Sequence, residues 1–219
     1  MRLPLTSFCL LLWLSASAQF GVKASYNFHS SPLDVITSNA DNNLPAVDNA
    51  PEIALNYWFR LPTKRVEFTP TIFFSPTNIS NTPNKLNMYG AEMKVNVYPF
   101  DFGGDCDCPT FGKQGPHLEK GLFLQLSGGY ARYQPAGASE ASIVANGRGA
   151  TFGAGVGVDF GLSNLITLTP MASFRRGPGL YEGIPFTDEN DEPLAFGKKS
   201  LTTYQLGLQL SFRFDHKKY

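Results

Sequence analysis

The sequence predicts an all-β fold, an eight-stranded antiparallel up-and-down transmembrane β-barrel. Three observations predict it. Eight separate stretches place an apolar residue at every second position. They begin directly behind a secretory signal, and short and long connections mostly take turns between them. A strand points successive side chains to opposite faces, so each stretch has one oily and one wet face. Repeated eight times after an export signal, this is the pattern of an outer-membrane barrel.

Residues 1–18 read as a signal peptide that is removed. Arg2 is the positive start, Leu3 to Leu14 the apolar stretch, and Ala16-Ser17-Ala18 the small-residue cleavage site. The apolar run is too short to span a bilayer as a helix. Residues 19–219 then form one barrel domain, of a size ordinary for a single all-β unit. Lys+Arg and Asp+Glu balance at 18 each, so no basic field points to nucleic acid. The slightly negative mean hydropathy is compatible with a membrane, because a barrel needs only one apolar face per strand.

The expected strands are 19–29, 51–61, 66–75, 87–98, 121–132, 150–160, 165–175 and 202–214. In the first, Phe20, Val22, Ala24, Tyr26 and Phe28 alternate with Gly21, Lys23, Ser25, Asn27 and His29. The second carries Ile53, Leu55, Tyr57, Phe59 and Leu61 on one face, and the third Val66, Phe68, Pro70, Ile72 and Phe74. The last alternates from Tyr204 to Phe214. Each has the roughly 9–11 residues that a tilted strand needs to cross the hydrocarbon. Pro62-Thr63-Lys64-Arg65 and Gly161-Leu162-Ser163-Asn164 are tight turns, whereas the connections after strands 1, 3, 5 and 7 are long and polar. This asymmetry assigns the long connections to the exterior and the tight turns to the periplasm. The long connection after strand 4, residues 99–120, breaks the rule. Thr69-Pro70 and Thr169-Pro170 recur at one point of strands 3 and 7, a weak internal repeat, and proline predicts a bulge or local distortion there.

Alternation alone does not say which face points inward, since a soluble barrel also alternates. The polar face is crowded with small residues: Gly21, Ser25, Gly90, Ser127, Gly129, Gly153, Gly155, Gly157, Gly207 and Ser211. A narrow eight-stranded interior needs such side chains between a few large ones, whereas a hydrated surface favours Lys and Glu. The apolar face carries Phe28, Phe74, Tyr89, Tyr130, Phe152, Phe174 and Tyr204 near its exterior ends, an aromatic girdle. Both features place the oily face outside, in lipid.

The opening Gln19 to Phe28 stretch resembles the first strand of the PorT/OmpA-like outer-membrane barrel domains of the Bacteroidetes type. The final Leu206 to Phe214 strand resembles a barrel-assembly signal, although Asp215 to Tyr219 follow it. The resemblance covers the whole mature chain and implies an integral outer-membrane barrel inserted by the barrel-assembly machinery. Members include a secretion-machinery component and barrels of varied role, so it specifies fold more than activity.

The lumen-facing charged set is Lys23, Glu52, Arg60, Glu67, Glu92, Lys94, Asp159, Arg175 and Arg213. The simplest register sets Arg60 opposite Glu67, Glu92 within reach of Lys94, and Lys23 beside Arg213 with Asp159 at a similar depth. Buried charges must be paired, so an interior salt-bridge network plugging the barrel is expected, with a conduction path as the alternative.

Other motifs carry less. His29-Ser30-Ser31 has the spacing of a hydrolase His-x-Ser pair, but no third group orients it, and a loop-edge histidine is expected. Cys106 and Cys108, one residue apart in an oxidising compartment, suggest a disulfide or a simple turn, and with His117 they make a weak metal signal. Asp188 to Glu192 lacks the glycine of a calcium loop and reads as a solvated acidic loop. Asn78-Ile79-Ser80 is a sequon of little weight in a bacterial membrane.

The chain is therefore expected to be a non-enzymatic outer-membrane protein with a structural or interaction role, exerted through its exterior loops and the 99–120 periplasmic connection. Its expected partners are outer-membrane lipid, the barrel-assembly machinery and a periplasmic protein docking at 99–120. No cofactor and no metal is expected. The alternatives are a small barrel enzyme acting on lipid A or phospholipid, and a narrow solute channel.

Overall fold

A computed structural model describes residues 19–30, 47–61, 64–78, 85–101, 121–136, 147–163, 165–179, 185–187, 193–195 and 200–212. Eight strands form the wall. They are β1 (Phe20–Ser30), β2 (Ala50–Tyr57, continued as Phe59–Arg60), β3 (Val66–Asn78) and β4 (Lys85–Val97). The others are β5 (Leu122–Ala136), β6 (Arg148–Val158, continued as Phe160–Gly161), β7 (Ile166–Gly179) and β8 (Ser200–Phe212). Each pairs antiparallel with its chain neighbours, and β8 closes on β1 from Phe20↔Phe212 to Ser30↔Thr202. Closure leaves the wall without a free edge strand, as a membrane barrel requires.

The pairings also fix the stagger. A path perpendicular to the strands leaves β1 at Ser30 and passes Thr202, Arg176, Phe152, Gly128, Met93 and Pro70. It returns through Tyr57 to Phe20, ten residues along β1 from where it began. Eight strands with such a stagger are tilted by roughly 35–45°, which leaves an interior just wide enough for side chains to fill.

Two faces result. Outward residues are apolar and exposed, with Ile53, Ile72 and Leu126 each more than half accessible. Inward residues are polar or small and buried, with Lys23 and Glu52 at 1%. That is the inverse of a soluble barrel, and its outer face is compatible only with hydrocarbon. The protein is a transmembrane barrel of the outer membrane. No described helix is long and apolar enough to cross a membrane.

Allowing for the stagger, the aromatic girdle is real. Phe28, Phe74, Tyr89, Tyr130, Phe152 and Tyr204 fall at nearly one height, and Phe174 lies one pleat below. A second aromatic group occupies the other end over β8, β1, β2 and β3, where Phe20 meets Phe212 at 5.2 Å and Phe59 stacks on Phe68 at 5.3 Å. Eight residues separate Phe20 from Phe28, about 20 Å along the membrane normal after tilt. This approaches the ~25 Å apolar band of such barrels.

Strand ends differ from expectation at the end bearing the long connections, termed the loop end. β3 and β4 stay paired to Asn78↔Lys85, so their connection is 79–84 rather than the longer loop expected. β5 runs on to Ala136, and Tyr133 N donates to Gly147 O at 2.7 Å. Past β7, Pro185–Thr187 pairs with Pro193–Ala195 in a two-stranded ribbon. The acidic 188–192 stretch between them lies outside the described residues, as do the signal segment, Cys106, Cys108, His117 and Arg213.

The two Thr-Pro sites distort the wall without bulging it. Pairing of β2 with β3 lapses opposite Pro70, yet Asn56↔Thr71 and Phe59↔Phe68 keep one register. β6 and β7 repeat this opposite Pro170, between Gly157↔Met171 and Phe160↔Leu168. The other side of each proline stays continuous, at Pro70↔Met93 and Pro170↔Leu208. Proline removes one donor, and the ladder loses its rungs on that side alone.

Candidate functional site: the barrel interior

Inward parity delivers the polar side chains of all eight strands to one narrow space. Glycines make room for them. A Cβ on Gly90 would stand 2.8 Å from Phe73 Cζ, and one on Gly207 would stand 3.1 Å from Lys23 Cε. A Cβ on Gly157 would strike the Phe123 ring. The small residues are thus the complement of particular large neighbours across the wall.

The centre is a crossbar. Arg175 of β7 reaches across to Glu52 of β2, with Nη2 2.5 Å from Oε2, and to Glu92 of β4, with Nη1 3.4 Å from Oε1. Its guanidinium lies 3.9 Å from the centre of the Phe73 ring. Lys94 Nζ is 3.7 Å from Glu92 Oε2, the pair anticipated from their spacing. Gln205 Nε2 donates to Asn27 Oδ1 at 2.9 Å and to Glu52 Oε1 at 3.0 Å, while its Oε1 accepts from Lys23 Nζ at 3.3 Å. Asn27 Nδ2 donates to Glu52 Oε2 and to Ser75 Oγ. Every strand from β1 to β4, together with β7 and β8, contributes to this layer.

Towards the turn end, neutral amides take over. Asn56 Nδ2 donates to Gln209 Oε1 at 3.0 Å, and Gln125 Nε2 donates to Asn96 Oδ1 at 2.8 Å. At that end a second charged cluster closes the lumen. Tyr98, just past β4, places its hydroxyl 2.8 Å from Glu67 Oε2 and 2.6 Å from Asp159 Oδ2. Thr169 Oγ1 donates to Asp159 Oδ1 at 2.5 Å. The Arg65 guanidinium covers the Tyr98 ring at 4.2 Å, and Phe123 packs on it at 5.5 Å.

Of the expected lumen set, Lys23, Glu52, Glu67, Glu92, Lys94, Asp159 and Arg175 are buried in the interior. The backbone of Arg60 pairs with Glu67 as the simplest register requires. Its side chain is outside the described residues, and the described partner of the Glu67 carboxylate is Tyr98. Lys23 and Asp159 do not share a depth. Lys23 turns towards the centre, to Gln205, while Asp159 sits about four residues nearer the turn end. Arg65 was expected in a tight turn, yet it is 1% exposed and packs inside. It and Tyr98 were absent from the expected set. Tyr98 continues the inward parity of Glu92, Lys94 and Asn96, a signal that could have found it. Arg65 follows turn residues, and nothing local marks it.

His29 Nδ1 lies 3.0 Å from Thr203 Oγ1, and Ser30 points to the opposite face of β1. Ser31, the serine of the His-x-Ser spacing, lies outside the described residues. Among the described residues no group of three or more metal-ligating side chains gathers.

No protein-family model matches the chain, and no curated protein matches it in sequence. Among solved structures it is similar to Neisserial surface protein A, with 11% identity and a TM-score of 0.51 over 90% of this chain and 97% of that one. It is also similar to the N-terminal β-barrel domain of OprF from Pseudomonas aeruginosa, with 13% identity and a TM-score of 0.39 over 90% and 97%. A major outer membrane protein from Thermus thermophilus gives 10% identity and a TM-score of 0.45 over 90% and 99%. The first overlap is sufficient to match the fold, an eight-stranded outer-membrane barrel.

Proposed function

We propose that this barrel is a non-enzymatic outer-membrane protein that acts through the connections at its two ends. The observation that carries the reading is the crossbar. Arg175 tied to Glu52 and Glu92 spans the bore at its middle, and the Tyr98–Glu67–Asp159 cluster spans it again below. Such a lumen is a scaffold, which leaves the connections to carry the role. The long connections lie at the exterior end and the 99–120 segment at the periplasmic end, following the usual asymmetry of these barrels. The resemblance of the Gln19 to Phe28 stretch to PorT/OmpA-like domains supports an accessory role in secretion or envelope assembly, with a protein docking at 99–120.

The test is complementation of a deletion strain by a full chain in which residues 102–120 are replaced by a short Gly-Ser turn. The expected outcome is a barrel that still shows faster migration unheated than heated in SDS but no longer restores the envelope phenotype. Full rescue by that variant, or an altered lipid A profile in the deletion strain that His29→Ala fails to restore, would overturn the reading.

A further inference from the structure

We propose that β5 to β8, with the adjoining β1, carry on their outer face a docking track for a phosphate-bearing lipid of the outer leaflet. Its headgroup lies against Arg132, Arg148 and Arg176, and an acyl chain lies in the groove below. Charge is segregated by face in this barrel. Each acid on the described strands, Glu52, Glu67, Glu92 and Asp159, is buried inwards. The outward-facing charges on these strands are Lys85, Arg132, Arg148 and Arg176, all cationic, all at the loop end, on four adjacent strands.

Arg132 stands directly opposite Arg148 across the β5–β6 ladder. Like charges so placed repel and destabilise a sheet, and among the described residues neither arginine has a charge partner. An anion between them converts that repulsion into two charge-assisted contacts. Arg176, one strand further on, is held by its Nε donating to Ser200 Oγ at 2.9 Å. Allowing for the stagger, Arg176 lies at the height of the aromatic girdle, and Arg132 and Arg148 lie roughly 4–7 Å above it. That is the headgroup zone.

Below Arg176, over β6, β7, β8 and β1, the outer wall is indented. A groove of about 740 Å³ runs over Ala24 and Ala172, between Tyr26 and Leu206 on one side and Val156 and Pro170 on the other. Ala172 is four residues below Arg176 and pairs with both Leu206 and Val156. A free anion satisfies the arginines but not the groove, and a neutral lipid does the reverse. A phosphorylated lipid satisfies both, and with the loop end outside, that lipid is lipid A. The proposal rests on the orientation assigned above, and not on the role given to the connections.

The experiment places the full barrel in phosphatidylcholine nanodiscs with and without lipid A. It measures lipid A retained per barrel and the temperature at which the folded gel band converts. Wild type is expected to retain lipid A and convert at a higher temperature. Arg132→Gln with Arg148→Gln, and separately Ala172→Leu, are each expected to keep the folded band while retaining about tenfold less lipid A. If Ala172→Leu lost the folded band, Ala172→Val would replace it. Retention at the wild-type level by either variant overturns the proposal. So does equal protection by inorganic phosphate without lipid A, or protection by phosphatidylglycerol and not lipid A. Protease shaving of intact cells reads the orientation independently.

Discussion

Arg175 occupies a position where one side chain neutralises two buried carboxylates from strands on the far side of the bore. Removing one partner of a buried pair costs more than the pair contributes, because the remaining charge is stranded. Arg175→Met is therefore expected to destabilise the barrel by roughly 3–5 kcal/mol, read as the urea midpoint of the folded band in lipid vesicles. Adding Glu52→Gln and Glu92→Gln to it should recover part of the loss, since the stranded charges are gone. A lack of any recovery would mean that Arg175 acts by packing on Phe73 rather than by charge. Glycine positions make an independent prediction. A Cβ on Gly90 meets not only Phe73 but also the Ala131 backbone at 2.9 Å, which cannot turn away. Gly90→Val should abolish the folded band altogether, whereas Gly128→Ala, which meets nothing within 4 Å, should leave it intact.

At the scale of the strand, the two proline sites are the informative elements. Both sit near the turn end, both face lipid, and each opens the ladder on one side only. Restoring a donor with Pro70→Val or Pro170→Val should add about one hydrogen bond, roughly 0.5–1.5 kcal/mol, offset in part by the freer unfolded chain. A small rise in the urea midpoint is the expected result. A fall would indicate that the strand bend, and not the missing donor, sets the local structure. The repeat of Thr-Pro was legible in the sequence, and so was the disturbance it causes. The preserved register was not, because register belongs to the pairing of both flanks and not to the five residues of the motif. Strand ends were misjudged for a related reason. β3, β4 and β5 continue past the lipid band as paired ribbon, where the apolar face that marks a strand in the sequence has already ended.

For the whole molecule, closure and filling decide behaviour. Four basic side chains (Lys23, Arg65, Lys94, Arg175) and four acidic ones (Glu52, Glu67, Glu92, Asp159) are buried among the described residues. They are knit with Asn, Gln, Ser and Thr into layers across the lumen. Planar-bilayer recordings on the purified barrel are expected to show no discrete conductance at moderate voltage. Reproducible unitary steps that disappear on Arg175→Met would favour the narrow channel instead. The same closed wall predicts strong heat-modifiable migration, since opening it requires breaking every strand pair around the ring.

The sequence by itself determined that eight strands exist, which residues each turns inward, and that the oily face looks outward. The strands follow from a period of two, which is local and survives any arrangement of neighbours; the facing follows from the small residues crowded on the polar side and the aromatics on the apolar one. It also placed most of the girdle, because aromatics at strand ends are visible without a partner. Beyond near neighbours such as Glu92 and Lys94, the tertiary structure decided who meets whom. The stagger of ten residues sets the heights at which Arg175 finds Glu52 and Glu92, sends Lys23 to Gln205 rather than towards the turn end, and draws Arg65 and Tyr98 into one cluster. Those partners lie up to 182 residues apart in the chain, and only closing the barrel brings them within a hydrogen bond of one another.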